Sequence, residues 1–101
     1  MIKPTVGRVV WFWPSWDEQV HPQVDGQPHA ATIAHVHSDT MVNLSVVDAS
    51  GRQYGATSVQ LFDAGTEQTS GYYATWMPFQ QGQAVAADIA WPHSRRSLAN
   101  R

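Results

Sequence analysis

Five short runs of β-branched and aromatic residues, most of them closed by turn-forming residues, constrain this chain more than any other feature. Residues 7–13, Gly-Arg-Val-Val-Trp-Phe-Trp, stop at Pro14. Residues 30–37, Ala-Ala-Thr-Ile-Ala-His-Val-His, run into Ser38-Asp39. Over 41–48 the alternation is clean, with Val42, Leu44 and Val46 on one face and Asn43 and Ser45 on the other; Ala49-Ser50-Gly51 then turns the chain. Residues 56–62 alternate again, Val59 and Leu61 inward against Ser58 and Gln60, and Asp63-Ala64-Gly65 closes the run. The fifth run is 72–79, Tyr-Tyr-Ala-Thr-Trp-Met-Pro-Phe. A period of two repeated in short segments predicts an all-β fold, either a small barrel or a sandwich.

The longest gap between runs, residues 14–29, is polar and holds Pro14, Pro22, Gly26 and Pro28. It reads as a long surface loop between the first two strands, the kind of place where function is carried. The character changes after Phe79. Residues 80–91 are rich in Gln and Ala, and Val85 and Ile89 stand four apart, which allows a short helix bounded by Gly82 and Pro92. Residues 92–101 are polar and basic and read as a mobile tail. The expected organisation is one barrel over 1–79 with a C-terminal extension over 80–101.

A chain of 101 residues suits one core. The absence of cysteine excludes disulfides and thiolate metal sites and fits a reducing compartment. No apolar run approaches the roughly 18 residues of a membrane span, and Met1-Ile2-Lys3-Pro4 does not open a signal peptide. The expectation is a soluble protein without a membrane partner. Over residues 1–90, Lys3, Arg8 and Arg52 face eight acids, a net of −5, while Arg95, Arg96 and Arg101 give the last eleven residues +3. An acidic body repels a phosphate backbone, which argues against general nucleic-acid binding. Five tryptophans are many for a core this small.

Particular strings carry a resemblance. Gly7-Arg8-Val9-Val10, Ala31-Thr32-Ile33, Ser38-Asp39-Thr40-Met41-Val42-Asn43-Leu44, Ala56-Thr57-Ser58-Val59 and Trp76-Met77-Pro78 together resemble a group of small proteins encoded by tailed bacteriophages. The resemblance covers about residues 5–79. It implies a five-stranded SH3-like β-barrel and a phage source. None of its strings is a catalytic signature, and such a barrel hosts many functions.

The aromatic residues are the first candidate site. Trp11 and Trp13 share a strand face, Trp16 opens the long loop, and Tyr73 and Trp76 lie on the last strand. Trp11 and Trp13 read as barrel filling or, with the other three, as a shelf that stacks a nucleobase, holds a Pro-rich peptide or anchors a protein, and Trp16, beside Asp17 and Glu18, is the one expected to be exposed. Arg8 and Arg52 are the cations assigned to a phosphate, with the tail arginines Arg95 and Arg96 as further anion contacts. Histidines are the second candidate. His35 and His37 share a strand face, and His29 or Asp39 would supply a third metal ligand, but no metal motif is completed and solvent-facing or satisfied histidines are the default. There is no nucleophile elbow, no phosphate loop and no base with a partner.

The expected function is that of a non-enzymatic binding module without a cofactor. In one form it is a phage anti-defence protein in the cytoplasm of the infected host, sequestering a nucleotide signal or masking a host protein. The alternative is a virion accessory protein that decorates the capsid or tail, and a weaker one is a metal-assisted enzyme at His29, His35 and His37. Self-association as a homo-oligomer would hide the spare aromatics.

Overall fold

A computed structural model describes residues 2–65 and 71–80. The chain forms the expected all-β, five-stranded barrel: β1 (Val9–Trp13), β2 (His29–Ser38), β3 (Met41–Val47), β4 (Gln53–Phe62) and β5 (Tyr73–Thr75). Strands β1 to β4 form an antiparallel meander, β5 pairs antiparallel with β1, and a short parallel pairing of Leu61 and Phe62 with Ala74 and Thr75 closes the barrel.

Alternation decides which side chains fill it. Val10 and Phe12, Ala31 and Ile33, Val42, Leu44 and Val46, Val59 and Leu61, and Ala74 and Trp76 all point inward and are buried. Each large aliphatic or aromatic side chain so buried is worth roughly 1.5–3 kcal/mol in transfer free energy. Small and large residues interleave: Ala74 stands opposite Phe12 in register, leaving room for the ring.

The strand limits differ from the sequence reading by more than one residue at three places, each for a physical reason. Gly7 sits at φ +96°, a conformation that suits glycine, so regular β1 begins at Val9 although the Gly7 amide already bonds the Ile33 carbonyl at 2.8 Å. β4 begins at Gln53, three residues early, because the Asp48 amide bonds the Arg52 carbonyl at 2.9 Å and closes the turn there. β5 ends at Thr75 because the backbone becomes helical at 78–80. Pro78 opens that turn, and the Gln80 side chain accepts from the Met77 amide at 2.9 Å while the Gln80 amide donates to the Met77 carbonyl at 3.0 Å. The expected helix within 80–91 and the basic tail lie outside the described residues beyond Gln80.

One bend lets β4 serve two neighbours. Ser58 adopts φ +53°, and the β3–β4 register shifts between Val42 and Leu44. The Asn43 side-chain oxygen, between those two residues, accepts from the Ser58 amide at 2.8 Å, so the bulge is bonded rather than open. Beyond it, β4 turns toward β5.

Candidate binding surface

The long loop between β1 and β2 is tied to the barrel by side chains rather than left to drift. It begins with a local lock: Ser15 Oγ donates to Asp17 at 2.5 Å, and the Glu18 amide donates to the Ser15 carbonyl at 3.0 Å. The Glu18 carboxylate then accepts from the Val20 and His21 amides at 3.0 and 3.1 Å. Further on, Asp25 (φ +54°) and Gly26 (φ +71°) make a tight turn bridged by Val24 and Gln27. Both central residues have positive φ, which is why Asp-Gly occupies the tip.

Between these two parts the loop is clamped to β4 and to the β3–β4 turn. His21 Nδ1 donates to Asp48 Oδ2 at 2.6 Å, and the His21 ring stacks on Tyr54 with centroids 3.9 Å apart and planes 9° from parallel. His29, 2 % exposed, holds the other side. Its Nε2 lies 3.2 Å from the Pro22 carbonyl, which only accepts, so Nε2 carries the proton; Nδ1 of the neutral ring then accepts from the Tyr54 hydroxyl at 2.9 Å. Asp48 also accepts from the Ser50 hydroxyl and amide and from the Arg52 amide, all within 3.0 Å.

This network perturbs two acids in opposite directions. The His21 hydrogen bond, with smaller help from the Arg52 and Ser50 groups, holds the Asp48 carboxyl well below the ordinary carboxylate range, and its desolvation opposes this. Burial pushes the Tyr54 phenol up to about 12, with the charges of Glu18 and Asp48 adding to it. The clamp is thus a stable anion beneath a phenol that keeps its proton.

Trp16 stands clear of all this at 86 % exposed. Val20 and Val24 are the other large hydrophobic side chains of the loop that stand exposed.

A second aromatic surface lies on the outside of the barrel wall. Trp11 meets Trp13 edge to face at 6.2 Å, Trp13 stacks parallel to Tyr73 across the β1–β5 pairing, and Phe62 packs edge-on to Tyr73. The indole N–H of Trp13 donates to Thr75 Oγ1 at 3.0 Å, which fixes that ring. All four rings are half-buried.

The structure therefore divides the candidate residues. It brings Trp11, Trp13 and Tyr73 together as expected of a shelf, and adds Phe62. Trp76 is a correction: it is 2 % exposed and belongs to the core, so it cannot stack a ligand. It lies three positions after Tyr73, an odd offset that on extended backbone puts the two on opposite faces. Arg8 is spent on Trp76, its guanidinium 5.8 Å from the ring centroid. Arg52 sits in the β3–β4 turn, so neither arginine joins the Trp11–Trp13–Tyr73 row. The weak metal candidates His29, His35 and His37 are not brought together. His35 and His37 do meet, with rings 4.7 Å apart, and His37 Nε2 bonds the Asn43 side-chain oxygen at 2.9 Å. His29 lies at the opposite end of β2 with both nitrogens engaged, and no group of three metal-ligating side chains occurs among the described residues.

The residues that organise the loop, His21, Asp48 and Tyr54, are absent from the sequence candidates. His21 and Asp48 are 27 positions apart, so only the fold joins them. Asp25-Gly26 did carry a local signal, the dipeptide preferred in turns with two positive φ values. No family model, curated protein or solved structure matches this chain.

Proposed function

We propose that the chain is a non-enzymatic protein-binding module, with Trp16 as its anchor. In its fullest form this is a phage-encoded protein that masks a host protein in the cytoplasm of the infected cell. The observation that carries the reading is a tryptophan 86 % exposed on a loop that hydrogen bonds and ring stacking already hold in shape. Leaving an indole in water gains the fold nothing, and a pre-shaped loop loses little entropy on binding. The nucleotide form is less supported, because Arg8 and Arg52 lie away from the aromatic row that would take the base. The metal-assisted catalytic form at His29, His35 and His37 is less supported too, since His29 spends both ring nitrogens on the loop clamp, at the opposite end of β2 from the other two.

The test is affinity capture from host extract with the full chain and with Trp16→Ala. One host protein retained by the parent and lost with the variant supports the reading. Identical retention by both defeats it, and calorimetric heat with any mono-, di- or cyclic nucleotide would restore the nucleotide form. High copy number in purified particles would instead favour the virion accessory role. The half-exposed row of Trp11, Trp13, Tyr73 and Phe62 supports self-association as a second, compatible reading, which light scattering decides.

A further inference from the structure

We infer that the surface received by this loop is an apolar pocket with a basic rim on a folded protein, an inference that rests on Trp16 being the anchor. The described charges are unevenly placed. Asp17, Glu18 and Asp25 lie in the loop and Asp48 at its foot, against Arg52 as the one described lysine or arginine at that end. Lys3 and Arg8 precede β1, and Asp39 and Asp63 follow β2 and β4, so charge at the other end balances.

The four loop-end carboxylates are not equivalent. Glu18 and Asp48 are engaged by backbone and side-chain donors of the clamp. Among the described residues Asp17 accepts only from Ser15 Oγ, and Asp25 accepts no hydrogen bond. Asp17 is the immediate neighbour of Trp16, and both are exposed. Asp25 stands at the tip of the second turn, with Val20 and Val24 as apolar neighbours in the same loop.

A protruding indole is best desolvated by a concavity, because a flat surface covers one ring face and leaves the other wet. Closing that pocket brings Asp17 to its rim. A carboxylate brought to a protein rim without a cation loses solvation for no return, whereas lysine or arginine there recovers it and speeds encounter. The same charges disfavour the other large apolar receivers of a tryptophan: anionic lipid headgroups and nucleic-acid phosphates are repelled.

A library of ankyrin-repeat binders with a randomised concave face, selected on the full chain, tests this, with Trp16→Ala and the pair Asp17→Asn/Asp25→Asn as readouts. Asn tolerates the left-handed backbone of Asp25, and all three positions are exposed, so the variants fold. The expected binders carry Lys or Arg around an apolar hollow, weaken by about a hundredfold on Trp16→Ala, and weaken by roughly tenfold on the double Asn variant at low salt, an effect screened away at about 0.5 M salt. Binders that need Trp16 but ignore the Asn pair overturn the basic rim and leave the anchor standing. Binders indifferent to Trp16→Ala overturn both. Vesicles of zwitterionic and of anionic lipid are the second arm: the inference expects no shift in tryptophan emission with either, and a blue shift lost in Trp16→Ala replaces the protein partner with a membrane.

Discussion

The two ends of the barrel are closed by different chemistry. Where β1 begins, the plug is apolar: Trp76 lies in the core with Arg8 across its ring, and Ile2 is buried in the same cluster. Where β1 ends, the closure is polar: His21, Asp48, Tyr54 and His29 form one chain of bonded and stacked groups. An apolar plug is held by desolvation and is indifferent to pH, whereas a polar one is directional and titrates. The difference teaches that the barrel and its displayed loop are stabilised by separable means. The loop can be loosened while the barrel stands, but not the reverse.

The largest expected effect is at the apolar end. Trp76→Ala removes the largest fully buried side chain and costs about 3–5 kcal/mol by urea denaturation. A domain of this size holds on the order of 5–15 kcal/mol in total. Loop and barrel should therefore be lost together, in one transition seen alike by near- and far-ultraviolet dichroism. A loop that melts first in this variant would break the comparison.

Asp48→Asn should do the reverse, releasing the loop with less effect on the barrel. Amide exchange should quicken at Val20, His21, Ser50 and Arg52, whose donors depend on this clamp, and remain slow at Val42 and Val46. The pH sign follows from the depressed carboxyl. Asp48 is held well below its ordinary value of 3.8, so the unfolded chain takes up the proton first as pH falls. Its stabilisation is complete above about pH 4–5 and drains away below that, through the folded-state value. The stability gap between the parent and Asp48→Asn should accordingly be widest near neutral pH and narrow in acid. A gap independent of pH would show that the carboxylate is not what holds the loop.

The same division marks what could be read from the sequence. The barrel was legible because the period of two is local: Val42, Leu44 and Val46 announce their shared face without any other strand, and all three are buried. The loop was legible as a loop, from its prolines and polar residues, but its clamp was not. His21 meets Asp48 and Tyr54 only after β3 and β4 have paired. The fate of Trp76 was a parity question: Tyr73 and Thr75 take one face of β5, so Ala74 and Trp76 take the other. Aromatic composition alone points to Trp76 as a ligand platform, whereas strand parity assigns it to the core. The row of Trp11, Trp13 and Tyr73 obeyed parity, but Phe62 joined it only through the parallel β4–β5 pairing, which no local pattern announces.

The smallest expected effect is at Tyr54, and it isolates the polar end from the opposite side of the pH scale. Burial and the nearby Glu18 and Asp48 charges raise this phenol from 10.0 to about 12, so the native state keeps a proton that the unfolded chain gives up near 10. Tyr54 therefore contributes stability that is fully present below about pH 10 and is lost as pH rises through about 12. Ultraviolet titration of the phenolates should show one tyrosine ionising late in the parent, and that component should vanish in Tyr54→Phe. The substitution also removes the proton donated to His29 Nδ1, leaving that buried nitrogen unpaired, at a cost of about 1–3 kcal/mol. Asp48→Asn sharpens the point, since it removes one of the two charges and frees the His21 ring that covers the phenol, so the late component should move back toward 10. If Tyr54 titrates with an ordinary phenol's profile, the ring is wet, the His21 stack is open, and the loop that displays Trp16 is not pre-shaped.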